Sequence, residues 1–289
     1  MHPKKGDESK IGNPKSKIVR RPKLGQHFLH DSRYRARILE AADLKASDLV
    51  IEIGSGRGAM TGLLAGRARK VIAIEIDRVL AEKLHQDFRD QPRVQIINTD
   101  VLDVDLSDLC RREGITQAFV FGNIPYYITS PILHHLFAQR DSIRSMALLM
   151  QREVAERLIA SPGNRDYGYL SVAAQLNSQP RIALAVPPGA FSPPPKVQSA
   201  LVTFRMKPIP QEWLKRSEGE FLDFVKRCFA QKRKNLLNNL AGIYPRMRML
   251  DALDFIRKPQ TVRAEQLSID ELAEVFKLLP SALPSGDGG

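Results

Sequence analysis

Two short motifs in this sequence contain residue types from which a reaction site could be built. In the first, an apolar run at residues 49–53 leads into glycines at positions 54, 56 and 58, which predicts a buried strand followed by a tight turn. Backbone without side chains can lie against a nucleoside, so we interpret this turn as a cofactor-binding loop. A dinucleotide oxidoreductase has a related glycine pattern, and an ordinary tight turn would contain the same residues.

The second motif, Asn123-Ile124-Pro125-Tyr126, suits methylation of the exocyclic amine of a nucleobase. The N6 lone pair of adenine is delocalised into the ring, and accepting both amine hydrogens would localise it on the nitrogen. The Asn123 side-chain oxygen could accept one hydrogen, and the carbonyl of Ile124 or Pro125, aimed by the fixed φ of the proline, could accept the other. The Tyr126 ring could stack on a base that has left its helix. An ordinary Asn-Pro turn is the alternative.

Two carboxylates stand at corresponding places between these motifs. Glu75 and Asp100 each follow an apolar run, as do Gly54 and Asn123. Glu75 could accept both hydroxyls of a ribose, and Asp100 could accept the N6 amine of a cofactor adenine or could simply cap a turn. Because ligands bind beyond the carboxyl ends of parallel strands, the four positions together predict an S-adenosylmethionine site. We find no residues downstream that look like a hydride-transfer site, which disfavours a nicotinamide oxidoreductase.

Strand and helix patterns alternate with short connections, which predicts an α/β fold with a parallel sheet covered by helices on both faces. After Pro208 and Pro210 the pattern changes to helices without strands. The predicted strands lie at 49–53, 71–74, 94–98, 118–121, 146–150, 183–186 and 199–205, and the predicted helices at 32–42, 60–68, 79–88, 152–160, 170–179, 218–231, 233–240, 247–253 and 269–279.

Composition and charge divide the chain further. We predict a disordered basic arm at residues 1–22, an α/β domain at 23–207, a helical RNA-binding domain at 208–280 and a disordered tail at 281–289. The formal net charge is +12, of which residues 1–22 contribute +5 and residues 205–263 contribute +8. Cations at both ends of a nearly neutral body are typical of a protein that binds a polyanion. A basic surface kept for solubility would give the same net charge.

Two further groups of residues are candidates for contacts with a nucleic acid. Lys232, Arg233 and Lys234 fall in a helical pattern with several amides, which suits phosphate contacts along RNA, although a solvated helix face would look the same. Phe191 stands in a proline-rich loop and could cover the second face of the target base, or could be a packing phenylalanine. No metal-ligand spacing is found, so we predict no metal.

The remaining features favour a cytoplasmic protein. The two cysteines, Cys110 and Cys228, are typical of unpaired thiols in a reducing compartment. No run approaches the roughly 18 apolar residues of a membrane span, and the lysine-rich N-terminus has no apolar stretch of the secretory kind behind it. We therefore predict no membrane contact. We also predict a monomer, because no stripe for self-association is evident.

Taken together, these residues resemble the ribosomal RNA adenine N6,N6-dimethyltransferases, and more closely their bacterial small-subunit (16S) branch. The resemblance covers about residues 20–265 and rests on the order and spacing of several motifs. These are Lys23-Leu24-Gly25-Gln26-His27-Phe28-Leu29, Glu52-Ile53-Gly54-Ser55-Gly56, Glu75-Ile76-Asp77, Asn123-Ile124-Pro125-Tyr126-Tyr127-Ile128, Leu149-Met150-Gln151-Arg152-Glu153, Tyr167-Gly168-Tyr169-Leu170-Ser171-Val172, and Val186-Pro187-Pro188 through Lys196-Val197.

The resemblance implies a Rossmann-like, S-adenosylmethionine-dependent methyltransferase with a seven-stranded, mostly parallel sheet and a small all-helical C-terminal domain. It implies dimethylation of two adjacent adenosines in the 3′-terminal hairpin of 16S ribosomal RNA, on an immature 30S particle, with four methyl groups transferred. The family often has asparagine at the position of His27 and proline at that of Ser55. By position, the cofactor would be bound by His27, Leu29, Gly54, Glu75, Asp100 and Asn123, and the target base by Asn123, Tyr126 and Phe191.

Two rival functions stay open at this point. A related methyltransferase modifies a large-subunit adenosine and confers macrolide resistance, and it shares the cofactor motifs. The long loop at residues 187–196 and the Gln151-Arg152-Glu153 region look more like the small-subunit enzyme. The other rival is a mainly non-catalytic checkpoint factor in ribosome assembly, which the intact set of cofactor residues disfavours.

Overall fold

The computed structural model describes residues 26–208 and 218–280, so the predicted arm and tail lie outside the described residues. Nine strands and eleven α-helices occur in these ranges, and none of the helices is long and apolar enough to cross a membrane. The strands are β1 (Phe28–Leu29), β2 (Leu49–Ile53), β3 (Lys70–Glu75), β4 (Val94–Asn98), β5 (Ala118–Asn123), β6 (Ile143–Gln151), β7 (Ser178–Val186), β8 (Phe191–Ser192) and β9 (Ser199–Met206). The helices are α1 (Ser32–Ala41), α2 (Thr61–Ala65), α3 (Arg78–Asp87), α4 (Leu106–Arg112), α5 (Thr129–Ala138), α6 (Arg152–Ile159), α7 (Tyr169–Asn177), α8 (Glu218–Cys228), α9 (Leu236–Asn239), α10 (Arg246–Phe255) and α11 (Ile269–Leu278).

In the described part of the chain, seven strands form one sheet in the order β4-β3-β2-β5-β6-β9-β7. β2 pairs in parallel with β3 on one side and β5 on the other, whereas β9 is antiparallel to both of its neighbours. The predicted α/β class with a mostly parallel, seven-stranded sheet is thereby confirmed. The chain winds outward from β2 to β4 and then returns to β5, so the carboxyl ends of β2 and β5 flank the crevice where such sheets bind ligands.

The central strands are buried on both faces. Along β2, Leu49, Ile51 and Ile53 pack into the core on one face, and Val50 packs into the core on the other. This two-sided burial explains why the strand is a nearly continuous apolar run rather than an alternating one. Glu52 is the only charged residue in the run, and it faces the candidate site described below.

Two predicted helices are much shorter in the structure, and the helix predicted at 218–231 ends at Cys228. The helix predicted at 60–68 covers only Thr61–Ala65, and Gly66 follows it as the C-cap. The helix predicted at 233–240 begins only at Leu236, because the Asn235 side chain caps it by accepting a hydrogen bond from the Asn238 N–H. Lys232, Arg233 and Lys234 therefore lie in a turn, and the prediction that they occupy a helix was wrong.

The C-terminal helices share a hydrophobic core with the region around α7. Phe224 of α8 and Phe276 of α11 pack in one cluster with Tyr167 and Leu176. An ion pair between Arg140 and Glu218 adds a polar link between the two regions. The helices thus dock firmly on the α/β region, while the domain limits at 207 and 208 stay a prediction.

Candidate active site

A cavity opens at the carboxyl ends of β2, β3 and β5. Its walls are the glycine-rich loop after β2, the end of β3, the segment that follows β5, and the N-terminal segment around β1. The structure brings together here most of the residues predicted for the site, namely His27, Leu29, Gly54, Glu75, Asn123, Pro125 and Tyr126. Lining residues without a predicted role include Gln26, Glu52, Ser55, Ile76 and Tyr127.

The glycine-rich loop needs its glycines. Gly54 and Gly56 have φ angles of +70° and +58°, a region that side-chain-bearing residues rarely adopt. A Cβ on Gly56 would also lie 3.1 Å from the Phe28 ring, which packs over the loop from β1. The loop backbone is therefore left bare on the side that faces the cavity, as the sequence predicted for a nucleoside-binding turn.

Glu75 fixes this loop from the end of β3. Its side chain is 2 % exposed, and Oε2 accepts a hydrogen bond from the Gly56 N–H at 2.7 Å while Oε1 accepts one from the Asp77 N–H at 2.9 Å. Each oxygen keeps a second lone pair, so the carboxylate can still accept a hydroxyl from a ligand. Burial raises the pKa of Glu75, against the lowering effect of these backbone hydrogen bonds.

Glu52 is a second buried carboxyl in the cavity wall, and sequence reasoning gave it no role. It is 2 % exposed, and the Thr61 hydroxyl of α2 donates a hydrogen bond of 2.6 Å to its Oε2. Burial raises the pKa of Glu52 to about 7, and repulsion from Glu75 acts in the same direction. A charged residue inside an otherwise apolar buried strand was the sequence signal that could have revealed it.

Asn123 ends β5, and its amide group is held in one orientation. Nδ2 donates a hydrogen bond of 2.9 Å to the backbone carbonyl of His27. A carbonyl can only accept, so the NH₂ group must face His27, and Oδ1 is directed away as a free acceptor. The N-terminal segment thus sets the direction of the side-chain oxygen that the sequence assigns to the target amine.

The carbonyls after Asn123 are not equivalent. The Pro125 carbonyl accepts from the Ile128 N–H at 3.1 Å and from the Thr129 hydroxyl at 3.3 Å, so it already closes the turn that leads into α5. Of the two carbonyls that the sequence left open, that of Ile124 is therefore the better acceptor for a ligand.

The Tyr126 ring is fixed at both ends. Its hydroxyl makes a hydrogen bond of 2.7 Å with the Ser199 hydroxyl at the start of β9, and its ring lies 5.6 Å from the His27 ring. Burial raises the pKa of the Tyr126 phenol. The neighbouring Tyr127 also lines the cavity and is 63 % exposed.

A two-stranded pairing carries His27 and Leu29 to the site. β1 pairs antiparallel with β8, with Leu29 opposite Phe191, and His27 Nδ1 lies 2.8 Å from the Pro193 carbonyl. Leu29 is 5 % exposed and closes the floor of the cavity. The proline-rich loop therefore contributes to the site by positioning the N-terminal segment.

Two predicted site residues do not line this cavity. Phe191 is 3 % exposed and packs into the core with Leu149 and Leu201, so in this structure it does not face a base. The Asp100 side chain caps a short 3₁₀ turn by accepting from the Leu102 N–H at 3.0 Å. The roles of these two residues toward cofactor and base therefore stay predictions.

The cavity fits the predicted cofactor on chemical grounds. S-adenosylmethionine carries positive sulfonium and ammonium groups, which would favour the ionised form of a buried acid such as Glu52. Glu75 keeps lone pairs for the hydroxyls of its ribose. The bare loop at Gly54 and Gly56 offers backbone for its nucleoside. Within residues 26–208 and 218–280, no group of three or more His, Cys, Asp or Glu side chains could hold a metal ion.

Comparison with known proteins places this site in a family. The model for the family "Ribosomal RNA adenine dimethylase" matches residues 19–280. The chain belongs to this family. Membership confirms the family resemblance, the predicted enzyme class and the predicted use of S-adenosylmethionine.

The relatives of this dimethylase cover most of its length. Ribosomal RNA small subunit methyltransferase A of Acidobacterium capsulatum is 44 % identical over 273 residues, covering 92 % of this chain and 95 % of the relative. The protein of the same name from Desulfitobacterium hafniense is 43 % identical, covering 87 % and 89 %.

Two solved structures share the fold of the dimethylase. The dimethyladenosine transferase of Plasmodium falciparum superposes with a TM-score of 0.73 at 24 % identity, covering 86 % of this chain and 96 % of that one. The 23S rRNA methyltransferase ErmE gives a TM-score of 0.66 at 28 % identity, covering 87 % and 99 %.

The raised pKa of Glu52 predicts how the stability of the dimethylase depends on pH. Between the ordinary carboxyl pKa of 4.5 and about 7, the folded protein holds a proton that the unfolded chain releases, so the free energy of unfolding falls as pH rises. At about 1.4 kcal/mol per pKa unit, the loss is about 3 kcal/mol. Glu52→Gln keeps an acceptor for Thr61 and abolishes this loss.

Urea unfolding of both proteins between pH 5 and pH 8 measures the difference. Glu82→Gln is the control, because Glu82 is an exposed carboxyl on α3 whose loss leaves the wild-type pH dependence in place. Parallel pH profiles for wild type and Glu52→Gln would contradict the assignment.

Proposed function

We propose that this dimethylase methylates N6 of two adjacent adenosines in the 3′-terminal hairpin of 16S ribosomal RNA. Relatives that are 39–44 % identical over most of the chain are named ribosomal RNA small subunit methyltransferase A, whereas identity to the 23S enzyme ErmE is 28 %. The observation that carries the proposal is the fixed amide of Asn123, whose oxygen is free beside a cavity suited to a cationic nucleoside cofactor.

In the proposed mechanism the site works mainly by holding the target amine in place. Asn123 Oδ1 and the Ile124 carbonyl accept the two N6 hydrogens, which draws the nitrogen lone pair out of the purine ring and toward the methyl donor. The Tyr126 ring, held by contacts with Ser199 and His27, stacks on the base and keeps the amine within hydrogen-bond distance of these acceptors. Rigid positioning of this kind is the main source of rate in a direct displacement.

The cofactor supplies a methyl group that is already electrophilic because it is bound to a sulfonium. Transfer would join this methyl group to N6, leave the electron pair of the broken C–S bond on the sulfur, and release the N6 proton to water. Neutral acceptors suffice, since no strong base has to remove a proton before the bond forms. Glu75 and the loop at Gly54 would hold the nucleoside part, and Glu52 would face its cationic groups.

A basic turn would help to hold the RNA. The basic turn comprises residues 231–234 between α8 and α9, and Lys232 Nζ donates a hydrogen bond of 2.6 Å to the Arg165 carbonyl. This contact places the turn beside the loop that joins α6 to α7, next to the exposed Arg165 side chain. We assign the turn to phosphate contacts and the region 208–280 to RNA binding.

The substrate in this proposal is an immature 30S particle in the cytoplasm, and the enzyme acts as a monomer. Labelled S-adenosylmethionine offered with immature small subunits should give dimethyladenosine in the 3′-terminal hairpin upon nucleoside analysis. Label in large-subunit RNA alone would favour the resistance-type enzyme. Cofactor binding without transfer to either RNA would favour a checkpoint factor.

Asn123→Ala tests the assigned acceptor. Loss of one group that stabilises a transition state costs a factor of about 100 to 1,000, so the rate of transfer should fall about 100-fold or more. Tyr126→Phe is the matched control: it keeps the ring and loses only the bond to Ser199, and its rate should fall less than about 10-fold. Circular dichroism checks that both variants fold. An Asn123→Ala enzyme of nearly wild-type activity would eliminate the mechanism.

Replacing Lys232, Arg233 and Lys234 together by glutamine tests the basic turn. Each lost phosphate contact lowers the slope of log K against log salt by about 1, so the slope for binding small-subunit RNA should fall by about 2 to 3. The control replaces three exposed arginines at the far edge of the sheet, Arg67, Arg89 and Arg93, by glutamine. A slope that drops equally in the control would show that only overall charge matters.

A further inference from the structure

A second cavity lies at the opposite end of the sheet from the candidate active site. It has a volume of about 700 Å³ and lies between the turn after α1, the first residues of β6 and β7, and the end of β9. β6 connects the two places, with Ser145 near the cavity and Gln151 near the active site. At roughly 3.3 Å per residue, they are about 20 Å apart along the strand.

The strand register brings two arginines to one face of this cavity. Ser145 of β6 and Gln179 of β7 both lie opposite Arg205 of β9, and Arg181 of β7 lies opposite Thr203. Side chains two residues apart on a strand share a face, so Arg181 and Arg205 are diagonal neighbours on the same face of the sheet. Both arginines are exposed and line the cavity.

The positive charge of the cavity is largely uncompensated. Arg144 donates hydrogen bonds of 2.6 and 3.2 Å to Asp48, so its charge is neutralised by that carboxylate. Among the described residues, Arg181, Arg205 and Lys45 form no ion pair. Asp43 is the one acidic residue in the lining. Three unpaired cations around one concavity repel one another, and an anion between them would relieve that repulsion.

The cavity also contains neutral donors of the kind that bind oxyanions. The Ser145 hydroxyl is buried and has no hydrogen-bond partner among the described residues, which is costly unless a ligand or water satisfies it. The Gln179 amide lies in the same cross-strand row as Ser145 and Arg205. Guanidinium groups together with a hydroxyl and an amide are a typical donor set for a phosphate.

We propose that this cavity binds a phosphate of the RNA backbone and forms a second docking point for the substrate. The proposal rests on the proposed function, because it takes the occupant to be the same ribosomal RNA that enters the active site. A folded ribosomal RNA extends well beyond 20 Å, so one substrate can occupy both places. Two contacts at opposite ends of the sheet would fix the orientation of the enzyme on its particle.

The test is the double variant Arg181→Gln, Arg205→Gln, with affinity for immature small subunits measured over a range of salt concentrations. The slope of log K against log salt should fall by about 1 to 2. The matched control is Arg67→Gln, Arg93→Gln, which removes two exposed arginines in the segments before β3 and β4 that form no ion pair with residues 26–208 or 218–280. Its slope should change by less than half as much.

A second double variant, Arg181→Lys, Arg205→Lys, keeps the charge and should keep most of the wild-type slope. Both double variants should retain the wild-type melting temperature to within a few degrees, which separates loss of binding from loss of fold. A wild-type slope in the glutamine variant would overturn the proposal, as would an equal drop in the matched control.

Inorganic phosphate distinguishes the source of the anion. If millimolar phosphate stabilises the wild type but not the glutamine variant, and the salt slope for RNA is unchanged, the cavity binds a small free anion and the RNA assignment fails. If the wild type neither binds nor methylates small subunits, the proposed function fails first. If the wild type binds and methylates small subunits and the glutamine variant has the same salt slope, the proposed function stands and the second docking point is ruled out.

Discussion

The parallel pairing of β2 with β3 on one side and β5 on the other is the constraint on which the site depends. It places the ends of three strands side by side, so that Gly54, Glu75 and Asn123, far apart in the sequence, meet at one crevice. A Cβ built on Gly54 would lie only 3.6 Å from the Asn123 carbonyl. The fold therefore fixes the distance between the glycine-rich loop and the segment that begins at Asn123.

The N-terminal segment around β1 makes further contacts with the candidate site. The His27 carbonyl orients the Asn123 amide, and the His27 ring lies beside the Tyr126 ring. Phe28, the first residue of β1, packs over Gly56. This segment is itself held by β8 and by the Pro193 carbonyl. The loop at residues 187–196 thus positions β1 beside the candidate site, and Phe191 packs in the core.

Much of this architecture was predictable from local patterns, and the failures have physical causes. The strand at Val94–Asn98 was predicted because an apolar run is a local signal, and the helix predicted at 32–42 begins at Ser32, where Asp31 caps it. Helices α4 and α5 were not predicted, although Asp105 is a clear cap for the first. The direction of the Phe191 side chain depends on the tertiary packing, which no spacing of residues encodes, whereas the bond from the Leu102 N–H to Asp100 is a local cap. Glu52 was visible as a charge in a buried strand, but only the cavity gives it a role.

In the proposed mechanism the Asn123 oxygen accepts a hydrogen from the target amine in a crevice shared with the cofactor. The most direct measurement is a crystal structure of the enzyme with S-adenosylhomocysteine and an RNA hairpin that carries the two adenosines. We expect an adenine N6 within about 3.2 Å of Asn123 Oδ1, with the Tyr126 ring in contact with the base. An adenine bound elsewhere, or an Asn123 amide turned away from N6, would contradict it.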